Sequence, residues 1–254
     1  MSFVVTIDGP AAAGKSSTAR AIAQRLGWRY LDTGAFYRAL ALKALRARAP
    51  LDDVSATRLA RETRIEFSGD PARPHLLLDG TDVTDAIRSP EAGEAASRVA
   101  TFPGVRRLLV EWQRALAERE PLVGEGRDLG TVVFPDAQVK LYLDADLDTR
   151  AGRRMKEFVH RGLAARFEDV REEMRARDER DRSRADSPLR PASDATVLDT
   201  GGMDLDRQVE AALAVIRAHP ACPPGAEKPD ADPDPPPAGA PPGTPAGAPP
   251  GASA

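Results

Sequence analysis

The sequence predicts an α/β domain built on a five-stranded parallel sheet flanked by helices. Two patterns carry this. Short apolar runs recur along the chain, and between them lie segments whose apolar residues repeat every three or four positions. Strands that alternate with helices close into a parallel, doubly wound sheet through right-handed crossovers. A third observation bounds the length that folds. Of the last 35 residues, Pro220 to Ala254, 13 are Pro, 9 are Ala and 5 are Gly. Such a segment has almost no apolar side chains to bury against its ordering entropy. A domain is therefore expected over 1–218 and a disordered tail over 219–254.

The elements follow in order. Phe3–Asp8 (FVVTID) reads as the first strand, and Ser16–Leu26 as a helix closed by Gly27, a suitable left-handed stop. Trp28–Asp32 is the second strand; Thr33 then caps a helix, with Arg38 about one turn on. From about 64 to 83 the rhythm breaks, and the Asp79-Gly80 pair marks a hairpin, so a small antiparallel insert fits here. Ser89-Pro90-Glu91 places an N-cap, a first-turn proline and a first-turn acid at the start of a helix running to Ala100. Val105, Leu108, Leu109, Trp112 and Leu116 form one stripe of the next helix, Val105–Leu116. Leu122–Gly126, Val139–Asp144 and Thr196–Asp199 complete the strands, and Leu205–Arg217 is a last amphipathic helix. Between them, Arg150–Arg184 holds 12 basic and 8 acidic residues. Composition alone favours solvated helices with charge pairs there; a mobile, arginine-bearing flap over anions is the functional alternative.

Charge and composition exclude several classes. The net charge of −3 matches the tail, where Glu227, Asp230, Asp232 and Asp234 face only Lys228. The folded part is thus neutral, which argues against nucleic acid or an anionic membrane as partner. No run of 18 apolar residues offers a membrane span, and the start, MSFVVTIDGP, lacks a signal peptide's pattern. A cytoplasmic protein is expected. The lone Cys222 rules out a disulfide frame. Arginine outnumbers lysine 31 to 5, so each lysine is informative and a single arginine is not.

One lysine sits in a diagnostic place. Gly9-Pro10-Ala11-Ala12-Ala13-Gly14-Lys15-Ser16 is G-x-x-x-x-G-K-[ST], set between a strand and a helix as the phosphate-binding loop must be. Its backbone N–H groups, with those at Ser16 and Ser17, point at a triphosphate, and the helix N-terminus adds its dipole. Lys15 reaches the β- and γ-phosphates, and the Ser16 hydroxyl is the metal ligand for Mg²⁺. A guanine-reading Asn-Lys-x-Asp loop is impossible in a chain without asparagine, so a small-molecule kinase, with a second anion site, fits better than a GTPase. Thr33, Arg127 and Asp128 lie just beyond strand ends, on the same cleft as the loop.

The segments GPAAAGKS, LDTGAFYR, ASRVATFPGVR, EGRDLGTVVFPDA, VKLYLDAD and ARDERDRSR, in this order, resemble bacterial cytidylate kinase over roughly residues 2–217. The departures are small: Thr33 where serine is common, Glu125 where aspartate is common, and Gly104 in FPGVR. The resemblance implies a P-loop kinase fold with a monophosphate-binding insert over about 62–104 and a lid over about 150–188. It implies ATP, Mg²⁺ and CMP or dCMP as the molecules bound, and a monomer. It assigns Arg38, Arg127 and Arg184, with the Thr33 hydroxyl, to the monophosphate; Ser97, Arg106 and Asp128 to the base; and Arg177 and Asp181 to the sugar. Lys15, Arg127, Arg184 and the lid arginine Arg153 would compensate charge during transfer, with Arg154 as a further lid contact to ATP. Metal roles for Asp8 and Asp144 stay open, and His75, His160 and His219 match nothing. Another small-molecule P-loop kinase, or a nucleotide-dependent switch protein, are the competing readings; a substrate panel separates them.

Overall fold

A computed structural model of the chain describes residues 2–70, 72–118 and 120–224. The main sheet has five parallel strands: β1 (Val4–Asp8), β2 (Arg29–Asp32), β6 (Leu122–Glu125), β7 (Val139–Asp144) and β8 (Thr196–Asp199). Their order is β2-β6-β1-β7-β8. The expected strands are all present, the first two starting one residue late. β1 is central and buried throughout, pairing Ile7 with Glu125 on one side and with Leu141 on the other. An all-parallel sheet needs both faces covered. One face packs against α1 (Lys15–Leu26) and α8 (Leu205–Arg217) through Ile22, Leu213 and Ile216. The other packs against α2 (Thr33–Arg46), α4 (Pro90–Val99) and α5 (Pro103–Leu116) through Phe36, Leu40, Val99, Val105 and Leu109.

The insert is as expected in kind. β3 (Ile65–Ser68), β4 (His75–Leu78) and β5 (Thr81–Asp82) form an antiparallel sheet. Asp79 and Gly80 join β4 to β5 with φ of 50° and 82°, the left-handed pair that a type I′ turn demands. Leu76, Leu78 and Val83 bury this sheet against Ala35 and Ala39 of α2. Ser89 caps α4 by accepting from Ala92 N. One cap differs from expectation. Asp32, not Thr33, caps α2, its carboxylate accepting from Ala35 N; Thr33 is already helical. A carboxylate one residue earlier reaches the free N–H, leaving the Thr33 hydroxyl for another partner. The short helix α3 (Asp53–Arg61) and a five-residue π turn, Leu129–Val133, have no sequence counterpart above.

The charged segment forms two helices, α6 (Leu147–His160) and α7 (Phe167–Arg182). Their outer faces carry exposed pairs such as Arg175–Glu172. Their inner faces hold a small apolar cluster of Ala151, Phe158, Val170 and Met174, against which Ala11 and Ala12 of the phosphate loop also pack. The outer faces fit the solvated-helix reading, and the inner faces add an apolar cluster that composition alone did not show. Past 218 the chain stays on the domain for some residues: His219 meets the Phe3 ring edge-on at 5.5 Å, and Cys222 packs on the core. The rest of the expected tail, from 225, lies outside the described residues. Among the described residues no helix is long and apolar enough to cross a membrane.

Candidate active site

A cleft of about 470 Å³ opens at the carboxyl ends of β1, β2 and β6, between α4, α7 and the phosphate loop. The loop forms because β1 must turn sharply at Gly9. Its φ is 146°, and a Cβ there would lie 2.0 Å from the Leu143 carbonyl oxygen. Gly14, also left-handed, leads into α1. Ala11, Ala12, Gly14, Lys15, Ser16 and Ser17 line the cleft. Gly9, Pro10 and Ala13 do not: Gly9 lies on Leu143, the Pro10 carbonyl accepts from Lys15 Nζ at 2.7 Å, and the Ala13 carbonyl accepts from Thr200. Burial drives the Lys15 ammonium down to about 7, and Arg127 and Arg177 add to this. Such a group is stabilised by an incoming anion. Ser16 Oγ donates to Glu125 Oε1 at 2.5 Å, an oxygen that also accepts from the Tyr30 hydroxyl at 3.1 Å.

Deeper in the cleft the cations crowd. Arg38, Arg127, Arg177 and Arg184 all line it, reached from α2, the end of β6 and α7. Asp32 orients Arg38 at 2.5 Å. Asp181 holds two of the others, accepting from Arg127 Nε at 3.0 Å and pairing with Arg184 through its second oxygen. Burial pushes the Asp181 carboxyl up, but Arg127, Arg184 and Arg177 outweigh it and leave it below its usual range. Arg177 has no such partner. Burial, and then Arg127, push it down to about 10. Of the four guanidiniums, Arg38 pairs directly with Asp32, and Arg127 and Arg184 share Asp181, with Glu125, Asp178 and Asp128 nearby; such a cluster suits a phosphate. The nitrogens Arg38 Nε, Arg177 Nε and Arg184 Nε are buried without a protein partner among the described residues. Thr33 lies alongside, its hydroxyl donating to the Glu125 carbonyl at 2.7 Å.

At the far end lie Ser97 from α4, Arg106 from α5 and Asp128 after β6, all buried and all lining the cleft. Arg106 pairs with Asp128, also donates to the Ala100 carbonyl at 3.3 Å, and stands over the Tyr37 ring, 5.8 Å from its centroid. Ser97 Oγ is buried without a partner among the described residues. A donor–acceptor pair beside a hydroxyl on an aromatic floor can read a heterocycle's edge. All nine residues expected to hold the monophosphate nucleotide are therefore brought to one cleft.

Arg153 is the exception among the residues assigned to transfer. Its guanidinium donates to the Thr200 hydroxyl at 3.1 Å, to the Thr200 carbonyl and to the Ala12 carbonyl, and it does not line the cleft. Arg154, one position on, lines it, with its guanidinium over Phe158. One residue on a helix turns a side chain by about 100°, so neighbours cannot share a face. Arg150 is also turned inward, buried and paired with Asp178 of α7 at 2.7 Å. Asp8 accepts from the N–H groups of Leu129 and Gly130, and among the described residues it joins no group of three or more His, Cys, Asp or Glu that could hold a metal. The cleft includes residues that the sequence did not single out, notably Tyr37, Arg20, Arg88 and Arg161. Tyr37 lies within the quoted LDTGAFYR segment, one position before Arg38. The three arginines gave no signal among 31.

The phosphate loop, the arginine cluster and the residues beyond it set two anion sites and a base-sized recess in one cleft. Comparison with known proteins gives the family. The cytidylate kinase family model matches residues 5–218. The cytidylate kinase of Bordetella bronchiseptica is 46% identical over 216 residues, covering 85% of this chain and 95% of that protein. That of Pasteurella multocida is 43% identical over 218 residues, covering 85% and 96%. That of Klebsiella pneumoniae is 45% identical over 215 residues, covering 84% and 95%. With the family model matched over residues 5–218, the chain belongs to the cytidylate kinase family.

Proposed function

We propose that this kinase transfers the γ-phosphoryl group of ATP to CMP and dCMP, giving ADP and the corresponding diphosphate. The observation that carries the reading is the alignment of three parts along one cleft: loop, arginine cluster and base recess. Cytosine offers an amino donor next to ring-nitrogen and carbonyl acceptors. Asp128 accepts from the amine, while Arg106 and Ser97 donate to the acceptor edge. Uracil would turn a carbonyl toward Asp128 and leave two acceptors facing each other. Arg38, Arg127 and Arg184, with the Thr33 hydroxyl, hold the monophosphate; Arg177 and Asp181 reach the sugar.

The attacking group is a phosphate oxygen, already ionised at neutral pH, so no general base is needed. Catalysis rests on alignment and on cationic compensation of the moving charge. Lys15, Arg127 and Arg184 supply it, with Arg154 from the lid in the part first expected of Arg153. Mg²⁺ suits the donor set. Ser16 Oγ and the Glu125 carboxylate are hard oxygens 2.5 Å apart at the loop. Among the described residues no group of three or more His, Cys, Asp or Glu could hold a metal alone. This ion takes few protein ligands and the rest from water and phosphates, so Ser16 would hold it with Glu125 behind. When bound, it would supply positive charge against the phosphate oxygens. A monomer working in the cytoplasm, without nucleic acid or membrane, completes the reading.

The test is ADP release from Mg·ATP with CMP, dCMP, UMP, AMP and GMP offered singly. Strong turnover with the two cytidine nucleotides supports it; silence with both, from folded protein that binds ATP, overturns it.

A further inference from the structure

Asp8 ends the central strand, and its backbone continues into Gly9 of the phosphate loop. Its side chain points the other way, under the base recess. One carboxylate oxygen accepts from Leu129 N at 2.9 Å and the other from Gly130 N at 2.8 Å. These are the two residues that follow Asp128, and they open the π turn Leu129–Val133. The first N–H groups of any helical turn lack partners within it. Here a carboxylate from another strand supplies them, with both oxygens used and only 5% of the residue exposed. Asp128 itself contributes no side-chain cap to the turn, so its carboxylate is left for Arg106 and the cleft. Thr6 Oγ1 and the Lys140 side chain pack against Gly130 from elsewhere, where a Cβ would come within 3.1 and 3.2 Å of them.

We propose that Asp8 is a positioning residue for base selection: by gripping the Leu129–Gly130 backbone it fixes Asp128 against the recess at a set distance from the phosphate loop. This rests on the base-reading role of Asp128 proposed above. Asp8 touches no substrate. Its grip acts on the acceptor base; its charge also lies near Lys15, so Gly130→Ala, which leaves that charge in place, separates the grip from any effect on the phosphate loop.

The experiment measures kcat/KM for CMP and UMP, and KM for ATP, in wild type, Asp8→Asn, Asp128→Ala and the double variant. An asparagine keeps the shape but sets an NH₂ against one of the two N–H groups, so the turn must shift. Asp8→Asn is expected to lower the CMP-over-UMP ratio about tenfold, mainly through KM for CMP, with KM for ATP within about twofold. In the Asp128→Ala background the same change is expected to leave the ratio where Asp128→Ala put it. Gly130→Ala, which crowds the same turn against Thr6 of β1 and Lys140, is expected to reproduce the loss without altering any charge, and serves where Asp8→Asn fails to fold. An unchanged ratio in folded Asp8→Asn or Gly130→Ala, full additivity with Asp128→Ala, or an equal rise in both KM values overturns the proposal. If Asp128→Ala itself leaves the ratio unchanged, the base-reading role falls, and the proposal falls with it.

Discussion

Asp178→Ala removes one half of a buried ion pair and leaves the other half in place. Arg150 and Asp178 are 4% and 2% exposed and meet at 2.7 Å. In the variant the guanidinium stays tethered in place, because its Nε still donates to the Ala145 carbonyl at 2.9 Å and its Nη1 to the Ala11 carbonyl at 3.3 Å. An uncompensated buried charge costs about 3–5 kcal/mol. The two carbonyls offset part of this, so about 3 kcal/mol is expected, a large share of a domain stability of about 5–15 kcal/mol. With a urea slope of about 2–3 kcal/mol/M, the midpoint falls by about 1–1.5 M. The double variant Arg150→Met with Asp178→Leu removes both charges and keeps apolar volume, and is expected within about 1 kcal/mol of wild type. Urea titration by far-ultraviolet circular dichroism measures this. Tryptophan fluorescence adds a second probe, since Trp28 and Trp112 pack in clusters on opposite faces of the sheet; coincident curves license a two-state reading. A loss below about 1 kcal/mol in Asp178→Ala, or a double variant as unstable as the single, would refute the view that charge sets the cost.

Three further outcomes are expected. Asp128→Ala should reduce the preference for CMP over UMP by about tenfold to a hundredfold while KM for ATP holds within about twofold; steady-state kinetics decide, and equal losses for both substrates contradict base reading. Lys15→Met should lower turnover about 10²–10³-fold yet raise the melting temperature of the ligand-free protein. Folding lowers the lysine from 10.5 to about 7, so its charged form is disfavoured in the fold. That penalty is full below about pH 7 and fades toward pH 10.5, so the gap in melting temperature should narrow between those limits; a constant gap argues against it. Ending the chain at Pro224 should leave turnover intact. Ending it at Ala218 removes His219 from Phe3, a contact of about 1 kcal/mol, and should lower the melting temperature by about 2–4 °C.

The sequence alone determined the parallel sheet, the small insert and the phosphate loop. Each is written in contiguous residues: strand periodicity is local, the Asp79-Gly80 turn needs two left-handed positions in a row, and a phosphate loop is one short stretch of backbone. Thr33, Arg127 and Asp128 could be placed on the cleft from their positions beyond strand ends, but Ser97 and Arg106, on two helices, were named only through the family resemblance. No spacing rule joins them. Two things were decided by tertiary packing alone. The first is what each arginine of α6 meets. Leu147, Ala151, Met155 and Phe158 form a stripe that sets the phase of the helix, but only the placement of α7 and of the turn after β8 gives Arg150 to Asp178, Arg153 to Thr200 and Arg154 to the cleft. The second is the use of Asp8. In sequence it is a strand-end acid, and only the placement of β6 beside β1 brings the Leu129 and Gly130 amides to its carboxylate.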